Sequence, residues 1–364
     1  MKVHGAVFVA RDQELVIEEL DLDPDPGPGE VLVRYDASGL CHSDLSVMNG
    51  TFPLPPPAVL GHEGAGVIEA VGPGVVGLSP GDRVVGTFIP HCQICWHCLR
   101  GESQLCESGG DWGGGQGGRY TRADGSQIGF GLSTFSEAAV ISQHSVVKVM
   151  TDLPPVQLAL IGCGVTTGAG AAINTAGVRP GSTVAVVGCG GVGQSAIQGA
   201  RIAGASTIIA VDTVPSKLDT ALKLGATHGV LAGKDRDPVS EVKDLTAGRG
   251  VDVALEVIGS AATLKQAYDM VRRRGVVVAV GVPAGDAMLS VPIVDLLMGE
   301  KQIRGSLYGS SQVALDMPRL VRYAETGQLD LGTMVSRTID LPQINEGFRA
   351  MQAGEVIRSV ITYT

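Results

Sequence analysis

The order of apolar and polar positions divides the chain into two parts. Over residues 7–149, short apolar runs are separated by Gly and Pro, which predicts a mostly β part. These strand-like runs are residues 31–40, 64–72, 81–89 and 133–141. After Thr175, apolar β-branched runs alternate with helix-compatible segments. Such alternation predicts a parallel sheet covered by helices on both faces.

Two further stretches refine this picture. Residues 109–118 are so rich in glycine that we expect a flexible surface loop. From about Ser310 the chain is mixed again, with a helix predicted over residues 315–326 and a final strand over residues 359–363. Composition alone leaves open whether this C-terminal stretch joins the first part or forms a third small unit.

Composition and charge narrow the class of protein. A length of 364 residues with 44% hydrophobic and 18% charged residues indicates a folded chain of two domains. The net charge of -10 argues against a surface for nucleic acid or anionic lipid, and the triplet Arg272–Arg274 is expected to be the solvated end of a helix. We find no signal peptide and no run of about 18 apolar residues, which excludes a membrane-spanning protein. The protein is therefore expected in the cytoplasm, with its seven cysteines bound to metal or buried.

A glycine-rich turn follows the predicted strand 183–187. Its G-x-G-x-x-G pattern is Gly188-Cys189-Gly190-Gly191-Val192-Gly193, and Asp212 ends the next apolar run nineteen residues later. Glycines here let the backbone approach a pyrophosphate at a helix N-terminus. A carboxylate at Asp212 would accept hydrogen bonds from ribose hydroxyls and repel a 2′-phosphate, which favours NAD over NADP. The alternative is a glycine-rich turn of some other α/β protein.

Four cysteines lie close together in the chain. Cys92, Cys95, Cys98 and Cys106 have the spacing C-x2-C-x2-C-x7-C, with His91 and His97 beside them. Four thiolates match a closed, tetrahedral structural zinc site. The main rival is an iron–sulfur cluster, but its bacterial motif places the fourth cysteine three residues on and before proline. Here the gap is seven residues and Glu107 follows. Four free cysteines are the remaining alternative.

Three separate residues suggest a second metal site. Cys41, His62 and Cys163 each lie in a segment that contains glycine. One imidazole and two thiolates leave a fourth coordination position open for water or substrate. Taken singly, each of these residues could equally be an ordinary buried side chain.

These motifs together resemble those of the zinc-containing medium-chain alcohol dehydrogenases, a group that includes the animal liver enzymes and the glutathione-dependent formaldehyde dehydrogenases. The likeness covers nearly the whole chain, and its motifs are GLCHSD, GHEGAGVIEAVG, the cysteine lobe, STFSEAAV, GCGVTTG, GCGGVG, VDVALEVIG and IRSVITY. It implies an α/β protein that joins a Rossmann domain, built on a doubly wound parallel sheet, to a mostly β, GroES-like catalytic domain. The catalytic domain would comprise residues 1–164 and 309–364, and the NAD-binding domain residues 165–308, with the active site in the cleft between them.

The resemblance implies roles around two zinc ions per chain. Cys41, His62 and Cys163 look like the ligands of a catalytic zinc, and the four clustered cysteines look like those of a structural zinc. Glu63 corresponds to an acid near the metal, and Asp44 to the carboxylate that orients the histidine ligand. Ser43 corresponds to the hydroxyl that accepts the alcohol proton once zinc has lowered the pKa of the alcohol.

Contacts with coenzyme and substrate are implied in the same way. Lys217 would support the adenosine ribose beside Asp212, His42 and Arg358 would contact the pyrophosphate, and Thr167 would pack against the nicotinamide. The positions expected to shape the substrate pocket are Phe52, Phe88, Gly129, Phe130 and Leu132.

One departure from the family concerns proton transfer. Ser46 stands where the liver-type enzymes place the last histidine of the proton relay. Proton release must then run through water or another group. Gly129 and Phe130 also differ from the liver-type pocket, which suggests an altered substrate shape.

We therefore predict an NAD-linked, zinc-dependent alcohol dehydrogenase that transfers hydride reversibly between a primary alcohol, long-chain or aromatic, and its aldehyde. It would act on a small molecule and assemble as a homodimer or homotetramer. A close alternative is a formaldehyde dehydrogenase for thiol adducts, since STFSE and CHSD resemble that branch, and another is an enzyme that keeps NAD permanently bound. A different class would be an inactive nucleotide-binding structural or regulatory protein, and a further alternative is a zinc-free quinone reductase. Neither would need the complete set of metal ligands.

Overall fold

The computed structural model describes residues 1–109 and 119–363, which group into two compact units. The first unit comprises Met1–Cys163, Gln312–Glu325 and Val335–Thr364, and the second comprises Gly164–Ser311 and Thr326–Met334. The predicted flexible loop at residues 109–118 lies outside the described residues, apart from Gly109 at the end of a short 3-10 helix. The assignment of functions to two domains stays a prediction.

The strands are β1 (Lys2–Phe8), β2 (Val16–Leu22), β3 (Glu30–Gly39), β4 (Ala58–Val59), β5 (Glu63–Val71), β6 (Arg83–Gly86), β7 (Tyr120–Thr121), β8 (Gln127–Ile128), β9 (Ala138–Ser142), β10 (Val146–Lys148), β11 (Thr183–Val187), β12 (Thr207–Asp212), β13 (His228–Leu231), β14 (Val251–Glu256), β15 (Val271–Ala279), β16 (Gln302–Gly305), β17 (Val335–Ile339) and β18 (Arg358–Thr362). The α-helices are α1 (His42–Met48), α2 (Trp96–Leu99), α3 (Pro155–Leu160), α4 (Thr166–Gly170), α5 (Gly191–Ile202), α6 (Pro215–Leu224), α7 (Pro238–Asp244), α8 (Ala261–Met270), α9 (Ile293–Gly299), α10 (Val313–Glu325) and α11 (Ile344–Gln352).

The first unit is built on two sheets. One has the strand order β4-β1-β2-β7-β8, and the other has the order β10-β6-β5-β3-β18-β17, with β9 also paired to β3. The strands predicted over residues 31–40, 64–72 and 81–89 are confirmed as β3, β5 and β6. The strand predicted over residues 133–141 is wrong for its first half. The backbone amides of Thr134 and Phe135 bond the carbonyls of Gly61 and Leu60 instead, so the strand begins only at Ala138.

The second unit contains a sheet of six parallel strands in the order β13-β12-β11-β14-β15-β16. Successive residues of its central strand enter different hydrophobic cores, with Val184 and Val186 in one and Ala185 and Val187 in the other. Because successive side chains of a strand point to opposite faces, burial on both faces requires a continuous apolar run. The predicted doubly wound parallel sheet is confirmed, and its strand order is that of the Rossmann fold.

The arginine triplet was predicted wrongly. Arg272, Arg273 and Arg274 lie at the start of β15 and do not end a helix. Arg272 forms an ion pair with Asp252 at 2.6 Å. The carboxylate of Asp252 also accepts the backbone amide of Thr183. The ion pair therefore joins β15 to β14, and this hydrogen bond joins β14 to the start of β11.

One helical run, Pro155–Thr175, is long and apolar enough by composition to cross a membrane, which contradicts the expectation that no such stretch exists. Of its most apolar window, 78% is buried inside the protein. This burial identifies a core helix. The run contains two π-helical segments, and one of them, Ile161–Val165, carries Cys163. Such π segments widen a helix locally and occur frequently at functional sites.

Candidate zinc and coenzyme sites

The four clustered cysteines converge on one point. Their sulfur atoms all lie within 4.8 Å of one another, and the pairs Cys92–Cys98 and Cys95–Cys106 are 4.0 Å apart. A zinc ion with four bonds of about 2.3 Å to sulfur gives tetrahedral edges of about 3.8 Å. The cluster therefore has the size and the donor set that a structural zinc ion requires.

Backbone amides stabilise the thiolates of this cluster. The amide of Cys95 donates to Cys92 Sγ at 3.3 Å, and the amide of Cys98 donates to Cys95 Sγ at 3.4 Å, where Cys95 caps α2. Burial raises the pKa of Cys92, but hydrogen bonds with the amides of Ile94 and Cys95 and with the side chains of Ser108 and Cys106 together lower it to about 6. Burial and the neighbouring Cys95 and Cys106 raise the pKa of Cys98 to about 12. A divalent cation is the partner that lets all four sulfurs ionise together.

A second cluster brings together residues from three distant parts of the chain. Ligand atoms of Cys41, His62, Glu63 and Cys163 lie within 4.8 Å of one another. Cys41 ends the loop before α1, His62 immediately precedes β5, Glu63 begins β5, and Cys163 lies on the π segment Ile161–Val165. The hydroxyl of Ser43 is 3.8 Å from Cys41 Sγ, so it lies beside the ligand set.

The carboxylate of Asp44 joins two of these segments. One oxygen, Oδ1, lies 3.0 Å from Nδ1 of His62 and accepts the amide of Gly61 at 3.2 Å. The other, Oδ2, accepts the amide of Cys41 at 3.3 Å. With Nδ1 turned to Asp44, the imidazole presents Nε2 to the cluster, which is the orientation expected of a metal ligand with an outer carboxylate. Asp44 is only 4% exposed, so the contact is shielded from water.

The charges of this cluster are strongly coupled. The hydrogen bond between Cys41 and Cys163 lowers the pKa of Cys41 well below its usual range. The same hydrogen bond, together with burial, raises the pKa of Cys163. Burial would lower the pKa of His62, but Asp44 and Cys41 raise it well above its usual value. The two sulfurs therefore do not ionise readily together without a cation. Two thiols, an imidazole and an oriented carboxylate are the donor set of a catalytic zinc site, and zinc fits them.

Glu63 and Arg358 form a buried ion pair against the same cluster. Arg358 Nη2 lies 3.3 Å from Glu63 Oε1, and the two side chains are 3% and 0% exposed. Arg358 also donates to the carbonyl of Leu40, next to Cys41, at 3.4 Å. Burial raises the pKa of Glu63 to about 8, although Arg358 opposes the shift. Sequence reasoning assigned the two residues to separate tasks, because nothing local connects positions so far apart in the chain.

The glycine-rich turn lies between β11 and α5 as predicted. Gly188 has a φ of +97°, and a Cβ on Gly193 would lie 1.9 Å from the carbonyl oxygen of Gly188. At Gly190, the residue that caps α5, a Cβ would meet no atom within 4 Å. The turn thus combines a bend that glycine adopts readily, a close helix-to-strand contact and an open face at a helix N-terminus. These are the features that admit a dinucleotide pyrophosphate.

Asp212 ends β12 and lies against this turn. Its Oδ2 accepts the amide of Cys189 at 2.7 Å, and its Oδ1 accepts the amide of Val214 at 2.9 Å. A buried amide missed by sequence reasoning supports the same turn, since Gln194 Nε2 donates to the carbonyls of Cys189 and Lys217 at 2.9 Å each. The only feature of the sequence that could have indicated this role of Gln194 is that a polar residue stands on the buried side of the helix after the glycines.

The other predicted coenzyme residues lie on separate elements. His42 is exposed at the start of α1, Thr167 is half-buried in α4, and Lys217 is half-buried in α6. Arg358 is buried at the start of β18. Their contacts with a coenzyme, like those of Gly191 and Val192 in α5, stay predictions.

The residues predicted to shape the substrate pocket also lie in different surroundings. The ring of Phe88 meets the imidazole of His62 edge to face, with centroids 5.5 Å apart. Leu132 packs in one hydrophobic core of the first unit and Phe130 against another. Phe52 and Gly129 are half-buried. Phe88 thus has a described contact with His62, and the roles of all five residues in a substrate pocket stay predictions.

Comparisons with known proteins agree with these sites. Residues 27–152 match the alcohol dehydrogenase GroES-like domain, and residues 191–325 match the zinc-binding dehydrogenase domain. Over 100% of both chains, the protein is 42% identical to the NDMA-dependent alcohol dehydrogenase of Amycolatopsis methanolica and 36% identical to the S-(hydroxymethyl)glutathione dehydrogenase of Paracoccus denitrificans. The crystal structure of benzyl alcohol dehydrogenase from Acinetobacter calcoaceticus superposes with a TM-score of 0.93 at 35% identity, again over 100% of both chains.

These full-length similarities, together with two clusters of zinc-binding donors and a parallel dinucleotide-type sheet, fix the family. The resemblance seen in the sequence is confirmed. The chain belongs to the zinc-containing medium-chain alcohol dehydrogenase family, a family of enzymes.

Proposed function

We propose that the protein oxidises primary alcohols with aromatic or long alkyl groups to aldehydes, reversibly, with NAD as the hydride acceptor. The observation that carries this proposal is the cluster of Cys41, His62 and Cys163. Asp44 orients the imidazole of His62, and the ring of Phe88 lies beside that imidazole. When bound, zinc would supply a Lewis acid that lowers the pKa of the alcohol, and the nicotinamide would accept the hydride.

The chain's own residues would prepare this reaction. Cys41, His62 and Cys163 would hold the metal, and Asp44 fixes the imidazole so that Nε2 faces the cluster. Ser43, whose hydroxyl lies 3.8 Å from Cys41 Sγ, would accept the proton of the alcohol. Because residue 46 is serine, that proton would then pass to water. The complete ligand set argues against an inactive nucleotide-binding protein and against a zinc-free reductase.

An aromatic alcohol fits the surroundings of the cluster. The Phe88 ring borders His62, and aromatic pairs stabilise each other by about 0.5–1.5 kcal/mol beyond their buried area. The likeness to benzyl alcohol dehydrogenase supports the same substrate class. We expect Phe88→Leu to lower kcat/KM for benzyl alcohol about fivefold, with little change for ethanol and unchanged zinc content. Wild-type protein that binds two zinc ions yet reduces no NAD with any primary alcohol would refute the proposal.

A second candidate is oxidation of the thiol adduct of formaldehyde. The 36% identity to S-(hydroxymethyl)glutathione dehydrogenase favours it. Turnover of formaldehyde with NAD that requires glutathione would identify this activity. The 42% identity to an NDMA-dependent enzyme supports a parallel assay with NDMA as the acceptor. Turnover with NDMA but without added NAD would indicate a permanently bound coenzyme.

We also propose a cytoplasmic homo-oligomer. All seven cysteines are free, as a reducing compartment requires. In the second unit, all four residues of the edge strand β16 are exposed, and apolar side chains of α9 and its flanks face solvent. These side chains are Met288, Ile293, Val294, Leu297, Met298, Ile303 and Leu307. If two copies of the chain pair across a two-fold axis, the β16 edge of each copy covers the β16 edge of the other. Ile303→Lys is expected to shift the protein from a dimer or tetramer towards monomer in light scattering.

A further inference from the structure

The motif STFSE was part of the resemblance, but none of its residues has a role in the site described above. The structure places Thr134 of this motif between the segments that carry two of the catalytic zinc ligands. Its side chain is 0% exposed. All of its contacts described below lie within the first unit.

One side of Thr134 supports the His62 segment. Its backbone amide donates to the carbonyl of Gly61 at 3.2 Å. A Cβ added to Gly61 would lie 2.5 Å from Thr134 Oγ1, and a Cβ added to Gly64 would lie 2.6 Å from Thr134 Cγ2. The hydroxyl thus lies against the residue before His62, and the methyl group lies against the residue after Glu63. Both glycines of G-H-E-G are needed for this approach.

The other side of Thr134 supports the Cys41 segment. Its hydroxyl forms a 2.7 Å hydrogen bond with the hydroxyl of Ser38, which is 0% exposed and three residues before Cys41. The carbonyl of Thr134 accepts the hydroxyl of Tyr363 at 2.6 Å. The amide of Tyr363 in turn donates to the carbonyl of Asp36 at 3.0 Å. A closed set of bonds therefore links β3, the His62 segment and the C-terminal strand through one threonine.

We propose that Thr134 is a positioning residue for the catalytic zinc site, holding the Cys41 and His62 segments at the spacing that the metal needs. The proposal rests on the proposed function only in taking those residues as zinc ligands. Asp44 joins the same two segments from the side of the ligands, whereas Thr134 joins them from the side of the core. Outer contacts of this kind raise metal affinity because they limit the movement of the ligands.

The experiment compares variants that differ by one group. Thr134→Val removes the hydroxyl and keeps the shape, Thr134→Ser keeps the hydroxyl, and Ser38→Ala removes the partner of that hydroxyl. Tyr120→Phe is the matched control. It removes a buried hydroxyl that bonds Ser136 and the carbonyl of Ala138, without a described contact to Thr134.

Release of zinc to a chromogenic chelator is followed in each variant, and the phase missing from Cys41→Ser is assigned to the catalytic site. We expect Thr134→Val and Ser38→Ala to release this zinc about three to ten times faster than wild type, the effect of about one hydrogen bond. Their cobalt-substituted forms should show a shifted visible spectrum. Thr134→Ser keeps the hydroxyl bond and loses only the methyl contact with Gly64, so it should release this zinc more slowly than Thr134→Val. Tyr120→Phe should match wild type in both measurements.

Wild-type release rates and spectra in Thr134→Val and Ser38→Ala would overturn the proposal. So would an equal acceleration in Tyr120→Phe, because that would show a general loss of stability. If Thr134→Val fails to fold, Ser38→Ala alone decides the question. Since zinc release is measured without turnover, the result decides this proposal whether or not the wild type oxidises an alcohol.

Discussion

Replacing Asp212 by alanine tests coenzyme choice and stability together. The carboxylate accepts the amides of Cys189 and Val214 at 2.7 and 2.9 Å, so it supports the glycine turn as well as the expected ribose site. Alanine removes the charge and both of these hydrogen bonds. A change in stability alone therefore says nothing about the coenzyme, and the two effects have to be measured separately.

The expected magnitudes follow from these contacts. A hydrogen bond to a charged acceptor contributes about 1.5–3 kcal/mol, so losing two at a half-buried position should lower the free energy of unfolding by about 3 kcal/mol. For coenzyme choice, a carboxylate about 5 Å from a phosphate charge is repelled by about 3 kcal/mol at an effective dielectric constant of about 20. Removing it should change the ratio of kcat/KM for NAD to that for NADP about a hundredfold in favour of NADP.

Steady-state kinetics with one alcohol and both coenzymes measures this ratio, and denaturant unfolding measures the stability. Asp237→Ala is the matched control, because Asp237 also accepts two backbone amides, of Val239 and Ser240, at the start of α7. The control should lose stability and keep the coenzyme ratio. If Asp212→Ala loses stability but keeps the wild-type ratio, the residue only supports the turn and the reasoning is refuted.

Three further predictions concern the metal sites, the path of the proton and the buried Glu63. Cys98→Ser should lose one zinc ion and lower Tm, whereas Cys41→Ser should abolish turnover with little change in Tm, as metal analysis and calorimetry would show. Ser46→His should add an ionisation near pH 6.5 to the pH profile of kcat, and a profile identical to wild type would mean that no proton passes this position. In metal-free protein, burial raises the pKa of Glu63 from 4.5 to about 8, so the unfolded chain loses this proton first. The stability of wild type relative to Glu63→Gln should therefore fall as the pH rises from about 4.5 towards 8, and a constant difference in denaturant unfolding would contradict this.

The sequence by itself determined the features that depend on neighbouring residues. Four cysteines within one short segment can close around a single ion, and their spacing alone predicted a cluster that the structure confirms. Strands buried on both faces require continuous apolar runs, and these runs predicted the parallel sheet. The spacing of the glycines after one of these runs predicted the turn. The arginine triplet and the STFSE segment misled the prediction of local structure. Charge and hydroxyl content do not distinguish a strand end from a helix end, or a strand from a loop.

The tertiary structure decided how distant residues are brought together, and it revealed contacts that the sequence had not indicated. The resemblance of the sequence implied that Cys163 joins Cys41 and His62, but only the structure shows that a π segment of a core helix brings it to them. The pairing of Glu63 with Arg358 joins positions from opposite ends of the chain, and the support that Thr134 gives to Gly61 depends on the absence of a side chain at that glycine. Such contacts arise from the packing of strands remote in sequence, so they depend on the whole fold and not on the local preference of any segment.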